Sequence, residues 1–424
     1  MRVTSELLDD ALAISGAWSG ALNLRELIEK EIRSSRLAAS SLDVVAVGKA
    51  AREMASATRD LLGPLVQRQL VIVDEGPAFS LDSDVEFIIG EHPLPGLGSL
   101  LAGERLVEFL ASPTNADCTL FLISGGASSL CALPQIPMDL RGLHELFAVV
   151  LEAGADITTL NQLRAASSRI AGGAILRGVE TPNSLALIMV DNVVSGERWV
   201  ASGLTFDYLP SLDEVRSLLE SLGIVRGPLG AKILDACARR SDVMSEALRT
   251  VHENRVIAEP ARVAAAATQE AIRRGYRVFD LGSSLHGDVQ DLVKSMTEQL
   301  SGVTENGPFC VLGVGEVTVR VRGSGVGGRC QEFAWRMAEV LDGHKRDAIT
   351  VARSTDGRDF VKGIAGGWSD NETLRRARER GLDFSTVVSD SDSYSALHAL
   401  GQVIDGGRTG WNLCDVYLVA VGAR

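Results

Sequence analysis

The sequence predicts an α/β protein of two domains, the first built on a parallel sheet with a Rossmann-like pattern. Three observations carry this expectation. Unbroken apolar runs alternate with helical patterns through the first half, and strands apolar along their whole length are those covered on both faces of a parallel sheet. Gly is abundant at 43 residues while aromatics make up only 5%, which suits aliphatic cores and turns that bring backbone close to ligands. The 424 residues exceed one domain at roughly 150 residues each.

Taken in order, SLDVVAVG (41–48) reads as a buried strand followed by a helix from Lys49 to about Leu62. QLVIVDEG (69–76) and VEFIIGEHPLPG (85–96) are further strands, the second closing in a rigid two-proline turn at His92. LAGERLVEFLA is a helix. CTLFLISGGASSL (118–130) runs from strand through a small-residue turn into a helix, and SLALIMVDNVV (184–194) is another strand. The stretch from about Pro210 to Arg255 is helical and charged and reads as a bridge, so the chain is divided into 1–240 and 241–424. Beyond it, ARVAAAATQEAIRRGYRVFDLG gives a helix and a strand. PFCVLGVGEVTVRVRG leads to a glycine-rich turn, a helix to about Leu341, the strand AITVARSTDG and a final strand DVYLVAVG.

Composition excludes some classes. A net charge of −13 argues against a nucleic-acid polymer or a membrane surface as partner, since both reward basic patches. The six cysteines form neither a C-x-x-C pair nor a zinc-spaced cluster, the pattern of a reduced, cytoplasmic protein. The start, MRVTSELLDDALAISGAW, carries acids and an amphipathic helical pattern in place of a signal peptide. No apolar run is long enough to span a bilayer.

Several segments place chemistry at strand ends. GSGVGG, with Gly323, Gly325 and Gly328, fits G-x-G-x-x-G, yet EVTVRVRG before it alternates polar and apolar residues. That is the pattern of an antiparallel strand with one wet face, not of the buried strand a dinucleotide turn requires. What remains is a glycine-rich turn into a helix beginning near Arg329, either an anion site made by free N–H groups and a guanidinium or a tight turn with a surface arginine. ISGGASSL offers Ser124, Gly125, Gly126 and Ser128 at the end of a buried strand, where open α/β sheets bind ligands. Lys49 sits in a helix's first turn, where the dipole opposes it unless an anion is near. Asp191 ends a strand as a candidate metal ligand or general base, or as a turn cap. Asp356 and Asp359 end another strand, and Glu316 begins the alternating run. No Walker motif and no Ser–His–Asp order is present.

Read together, VGKAAREMA, HPLPG, LISGGASSL, GADITTLNQLR, SSRIAGG and ASGLT in the first half, with NRVIAEPARVAAAATQEAIRRGY, GEVTV, RGSGVGGRCQE, STDG, DSYSAL and RTGWNLCD in the second, resemble the glycerate 2-kinase family. Its C-terminal half is called the MOFRL domain. The resemblance implies a Rossmann-like N-terminal domain, a smaller mixed-sheet α/β C-terminal domain and an active site in the cleft between them. It implies transfer of the γ-phosphate of ATP, with Mg²⁺, to the 2-hydroxyl of glycerate. Lys49 and Arg329 would stabilise phosphoryl charge, and Asp191 would position the hydroxyl or the metal. Ser124, Gly125, Gly126 and Ser128, with Arg164, Asn254, Glu316, Gly327, Gly328 and Asp356, would bind substrate or nucleotide. A homodimer is compatible with this reading.

The chain departs from the family pattern inside its motifs. R-K-H after N-x-V becomes Arg164-Ala165-Ala166, and the lysine of S-x-I-K-G-G becomes Ala171. D-V-V-G-D becomes Asp191 to Ser195, so the second acid is missing. G-G-R-N-Q-E has Cys330 in place of Asn, T-D-G-I-D-G ends in Phe360, and T-G-P-T-G-T-N carries Arg408 and Trp411. Lost cations suit a substrate other than plain glycerate, such as a sugar acid or a nucleoside or nucleotide, with Arg358, Arg408 and Trp411 available for stacking. True glycerate 2-kinase activity and a catalytically degenerate ligand-binding protein are the alternatives. A hydroxypyruvate reductase is disfavoured by the alternating run before Gly323.

Overall fold

The computed structural model describes residues 5–35, 40–76, 85–191, 196–304 and 306–423. The chain forms two compact units. One is Leu24–Ala258, and the other joins Glu259–Arg424 with the described part of 1–23.

The first unit is built on a six-stranded, wholly parallel sheet. Its strands are β1 (Leu42–Val47), β2 (Val66–Val73), β3 (Val85–Ile89), β4 (Cys118–Ile123), β5 (Asn183–Met189) and β6 (Val251–Ala258), in the order β3-β2-β1-β4-β5-β6. Every residue of β1 and β4 is buried, as expected of strands covered on both faces. The helix Ala51–Leu62 packs on β1 and β2 and Leu97–Ala111 on β2 and β3. The core joins Val45, Leu70, Leu106, Phe121 and Ile188, each contributing about 1.5–3 kcal/mol by leaving water.

The stretch expected to bridge two domains lies inside this unit. Helices Leu212–Ser221 and Pro228–Met244 pack with Leu140–Glu152 and Ile157–Ala166 around Leu146, Leu163, Leu219 and Ile233. The chain then enters β6, so the units part at 258/259 instead of near 240. Most of the charges that suggested a bridge lie on the outer faces of helices whose apolar stripe is buried, with Arg240 as a buried exception.

The second unit carries a mixed sheet of β7 (Arg277–Asp280), β8 (Phe309–Gly315), β9 (Ala348–Ser354), β10 (Ile364–Asp370), β11 (Val403–Asp405) and β12 (Asp415–Val421). The order is β11-β10-β9-β12-β8-β7, parallel between β7 and β8 and antiparallel elsewhere. The helix Arg329–Leu341 packs on β9 and β10, with Phe333 and Trp335 fully buried. The amphipathic helix at the chain's start, Ser5–Gly16, belongs to this unit. It lies against β9, β12 and the helix Pro260–Arg273, and Asp10 Oδ2 accepts from Tyr276 Oη at 2.9 Å.

EVTVRVRG is not the expected antiparallel strand. The ladder stops at Gly315, and Thr318 makes only an isolated bridge to Asp288. Val317 is buried while Val321 is 69% exposed, so the alternation marks a dry and a wet side without a neighbouring strand. All six cysteines are free and buried. Among the described residues no helix is long and apolar enough to cross a membrane.

Candidate active site

The strand order of the N-terminal sheet reverses at one place. From β1 the chain steps outward to β2 and β3, then returns to place β4 on the other side of β1. Ligands of open α/β sheets bind outside the carboxyl ends of the strands at such a point. Val47 and Ile123, the last residues of β1 and β4, stand in register there, and each strand runs straight into one of the turns singled out in the sequence.

The two turns are stitched together. Ser124 N donates to Val47 O at 3.0 Å, Lys49 N to Gly125 O at 2.9 Å, and Ala50 N to Ser124 Oγ at 3.0 Å. Ser124 is fully buried, so its hydroxyl fixes the start of the helix Ala51–Leu62, and Lys49 sits in the turn before that helix instead of in its first turn. Gly48 has φ +124°, and a Cβ there would lie 2.2 Å from Ser124 Oγ. At Gly126 (φ +82°) a Cβ would meet Lys49 Cγ at 3.2 Å and His92 Cδ2 at 3.3 Å. Gly126, Lys49 and His92 therefore converge. Burial first and then the Lys49 ammonium hold His92 below its ordinary pKa. Asp74 opposes them and Arg164 adds to them, which leaves the imidazole neutral at pH 7 beside two cations.

Ser128 and Arg164 line one pocket together with Ser202. Burial alone pulls the Arg164 pKa down to about 10, and no described carboxylate pairs with it. Ser128 Oγ lies 2.8 Å from Ser202 Oγ, which donates to Asn161 Oδ1 at 3.0 Å. Ala201, Ser202 and Gly203 all have positive φ, +55°, +52° and +72°. Two of them are not glycine, a strain of order 1–3 kcal/mol each that clusters at functional sites. Gly172 N to Ser202 O (3.1 Å) and Gly173 N to Gly203 O (2.9 Å) hold this bend. Sequence reasoning missed Ser202. Its only signal is the run of small residues in ASGLT.

Asp191 follows β5 at the same carboxyl edge and is half-buried. Asn192 to Ser195, including the position of the missing second acid, lie outside the described residues. Asn254 stands apart in the middle of β6, opposite Ala186. Its amide donates to Thr205 O at 2.9 Å and accepts from Thr205 Oγ1 at 2.7 Å, so it braces the segment after Ser202 from behind.

In the second unit, Arg329 opens the helix Arg329–Leu341 and is bound on two sides. Its Nη1 lies 2.6 Å from Glu316 Oε1, and its Nε and Nη2 donate to the fully buried Asp415. Asp415 also accepts from Tyr417 Oη at 3.0 Å. Burial disfavours the Arg329 charge, but Asp415 and Glu316 outweigh it and raise its pKa.

Four N–H groups of the glycine-rich turn are already taken within the chain. Ser324 N donates to Asp390 Oδ1 and Val326 N to Asp392 Oδ1, both at 2.9 Å. Gly325 N donates to Asp390 O and Gly328 N to Gln331 Oε1, also at 2.9 Å. The first turn of the helix is taken by Asp359, whose side chain accepts from Cys330 N and Gln331 N. The glycines serve close packing: a Cβ at Gly327 would lie 2.2 Å from Ser393 Oγ, and one at Gly328 2.1 Å from Asp359 Oδ1.

Asp356 closes a turn, accepting from Arg358 N and Ser354 Oγ at 2.8 Å each. A Cβ at Gly357 would meet Gly407 O at 1.9 Å, so the loops carrying Arg358 and Arg408 interlock, and both arginines are exposed. Trp411 is only 8% exposed, which withdraws its indole from the stacking role expected of it.

Comparison with known proteins agrees with this architecture. Residues 11–233 match a domain of unknown function, DUF4147, and residues 309–415 match the MOFRL family. A glycerate 2-kinase of Pyrococcus horikoshii is 29% identical over 90% of this chain and 87% of its own. A protein of Agrobacterium vitis named putative hydroxypyruvate reductase is 27% identical over 89% and 99%. A crystal structure of glycerate kinase from Thermotoga maritima superposes with TM-score 0.83 at 26% identity, covering 99% of this chain and all of that one. Fold and kinship make the chain a phosphotransferase with an alcohol group as acceptor. More particularly, it belongs to the glycerate kinase family marked by the MOFRL domain.

Proposed function

We propose that this chain transfers the γ-phosphate of ATP, with Mg²⁺, to a hydroxyl of a small anionic substrate other than plain glycerate. The observation that supports it most is the set at the sheet's switch point: Lys49 beside the Ser124–Gly126 turn, and Arg164 beside Ser128. Phosphoryl transfer needs positioning and positive charge more than covalent chemistry, and the switch point concentrates both. Lys49 would bear on the transferring phosphoryl group. Gly125 and Gly126 would let the nucleotide or substrate approach the backbone closely. For Arg329 we keep the charge role that family order implies, with Glu316 and Asp415 fixing the plane of its guanidinium.

Among the described residues no three His, Cys, Asp or Glu side chains stand together as a metal cage. That fits Mg²⁺, which is commonly held by one or two carboxylates and the substrate's phosphates. Asp191 is the carboxylate we assign to it, or to the acceptor hydroxyl.

The names of the relatives favour glycerate itself as the competing substrate. The altered residues, Ala165, Ala166 and Ala171 among them, favour another. The reductase name of one relative gains little from Gly323–Gly328, where Asp390, Asp392 and Gln331 take the N–H groups of Ser324, Gly325, Val326 and Gly328. The test is a screen of hydroxy acids, sugar acids and nucleotides with ATP and Mg²⁺, read by mass spectrometry for a gain of phosphate. A phosphorylated product other than phosphoglycerate supports the proposal. ATP binding with no phosphorylated product would favour a degenerate binder.

A further inference from the structure

The pocket beside Ser128 has an uneven chemistry. Among the described residues Arg164 is the one charged residue that lines it. Arg164 is half-buried, and its guanidinium has no ion pair or hydrogen bond among the described residues, an arrangement that a ligand anion would complete. Arg presents a planar fork that matches a carboxylate.

The hydroxyls beside it have a fixed polarity. Ser202 donates its proton to Asn161, so its oxygen takes the proton of Ser128. Ser128 Oγ is then left as an acceptor, suited to a ligand's own hydroxyl. Leu133, Leu143 and Ile170 supply an apolar wall.

Ala171 also lines this pocket, at the position where the family pattern carries a lysine. Its carbonyl is pinned by the buried Arg240, whose Nη2 donates to it at 2.7 Å. A lysine there would add a second cation beside Arg164. This chain has a methyl group instead.

We infer that this pocket selects a monoanionic hydroxy acid with a hydrocarbon side chain. Its carboxylate lies on Arg164, its hydroxyl on Ser128, and its aliphatic group against Leu133, Leu143 and Ile170. A second phosphate or carboxylate is disfavoured, because among the described residues no second cation lines the pocket. Calling this ligand the substrate rests on the kinase reading, whereas its binding does not.

The test is isothermal titration of the full chain without ATP, using 2-hydroxy-3-methylbutanoate, glycerate and 3-phosphoglycerate. The branched acid is expected to bind at least about tenfold more tightly than glycerate, the discrimination an apolar pocket gives for added methyl groups, and 3-phosphoglycerate more weakly than either. Arg164→Met should lower the affinity for the branched acid at least about tenfold. Ala171→Lys should reverse the order, raising affinity for 3-phosphoglycerate, and it tests the inference even if Arg164→Met fails to fold. Equal or tighter binding of glycerate by the wild type, or no change in either folded variant, would overturn it. Selective binding without phosphate transfer would sink the kinase reading alone. Phosphate transfer without this selectivity would sink the pocket assignment alone.

Discussion

Asp359 caps the helix that begins one residue before Cys330, its Oδ1 accepting from Cys330 N at 3.2 Å and its Oδ2 from Gln331 N at 2.9 Å. A carboxylate on a helix's first turn is favoured by the orphan N–H groups and the dipole. The protein thus supplies its own anion where the glycine-rich turn invited an external one. Asp359 is also nearly fully buried, which creates a conflict between its cap and its charge.

That conflict predicts a pH dependence. Burial first, then the negative charge of Asp415, push the Asp359 pKa up to about 7 against its backbone hydrogen bonds and Arg329. The folded state then binds this proton more tightly than the unfolded chain, where an Asp titrates near 3.9. The stability it contributes is complete below about pH 4 and is lost as pH rises through about 7, on the order of 1–4 kcal/mol. Asp359→Asn removes this slope. Thermal unfolding from pH 4 to 8 should show the wild type losing ground to the variant as pH rises, and parallel profiles would contradict the account.

The stitched turns predict a contrast between two glycines. Gly48→Ala combines a left-handed φ with a Cβ 2.2 Å from Ser124 Oγ and 2.5 Å from its carbonyl oxygen, and should cost about 2 kcal/mol or more. Gly63→Ala meets nothing within 4 Å and has φ −44°, so it should stay within about 0.5 kcal/mol of the wild type. Chemical denaturation of both variants checks this. Equal effects would mean that the Lys49 turn is not held by close packing.

The pair Arg329 and Asp415 predicts a stability effect apart from catalysis. Arg329→Met leaves Asp415 fully buried with Tyr417 as its remaining hydroxyl donor, and should cost about 3–5 kcal/mol. Adding Asp415→Asn should recover part of that loss, because no uncompensated charge remains. A double-mutant cycle measured by denaturation reads the coupling, and additive losses would show that the pair is not the support of this helix start.

Much of this was legible in the sequence, for identifiable reasons. Strands buried on both faces announce themselves as unbroken apolar runs, so β1, β4 and β5 and the turns after them were readable. The start of the helix at Arg329 and its end near Leu341 followed from the apolar period. By contrast, β10 carries Gly366 and Gly367, and the first packs against Ala352 O. A strand interior chosen for close approach lacks the β-branched residues that mark strands. The return of helix Ser5–Gly16 to the second unit depends on Asp10 meeting Arg274 and Tyr276, a pairing some 260 residues apart that no local pattern reveals. The occupied glycine turn was hidden in the same way, since Asp359, Asp390 and Asp392 come from segments further along the chain.

The central claim is that the switch-point turns serve phosphoryl transfer, and Lys49 tests it most directly. The measurement is the initial rate of phosphate transfer from ATP to the accepted hydroxy acid, by mass spectrometry, for the wild type and a folded Lys49→Ala variant. The account predicts a loss of at least about 100-fold, the scale of removing one group that stabilises transition-state charge. A variant that transfers phosphate at nearly the wild-type rate would contradict it.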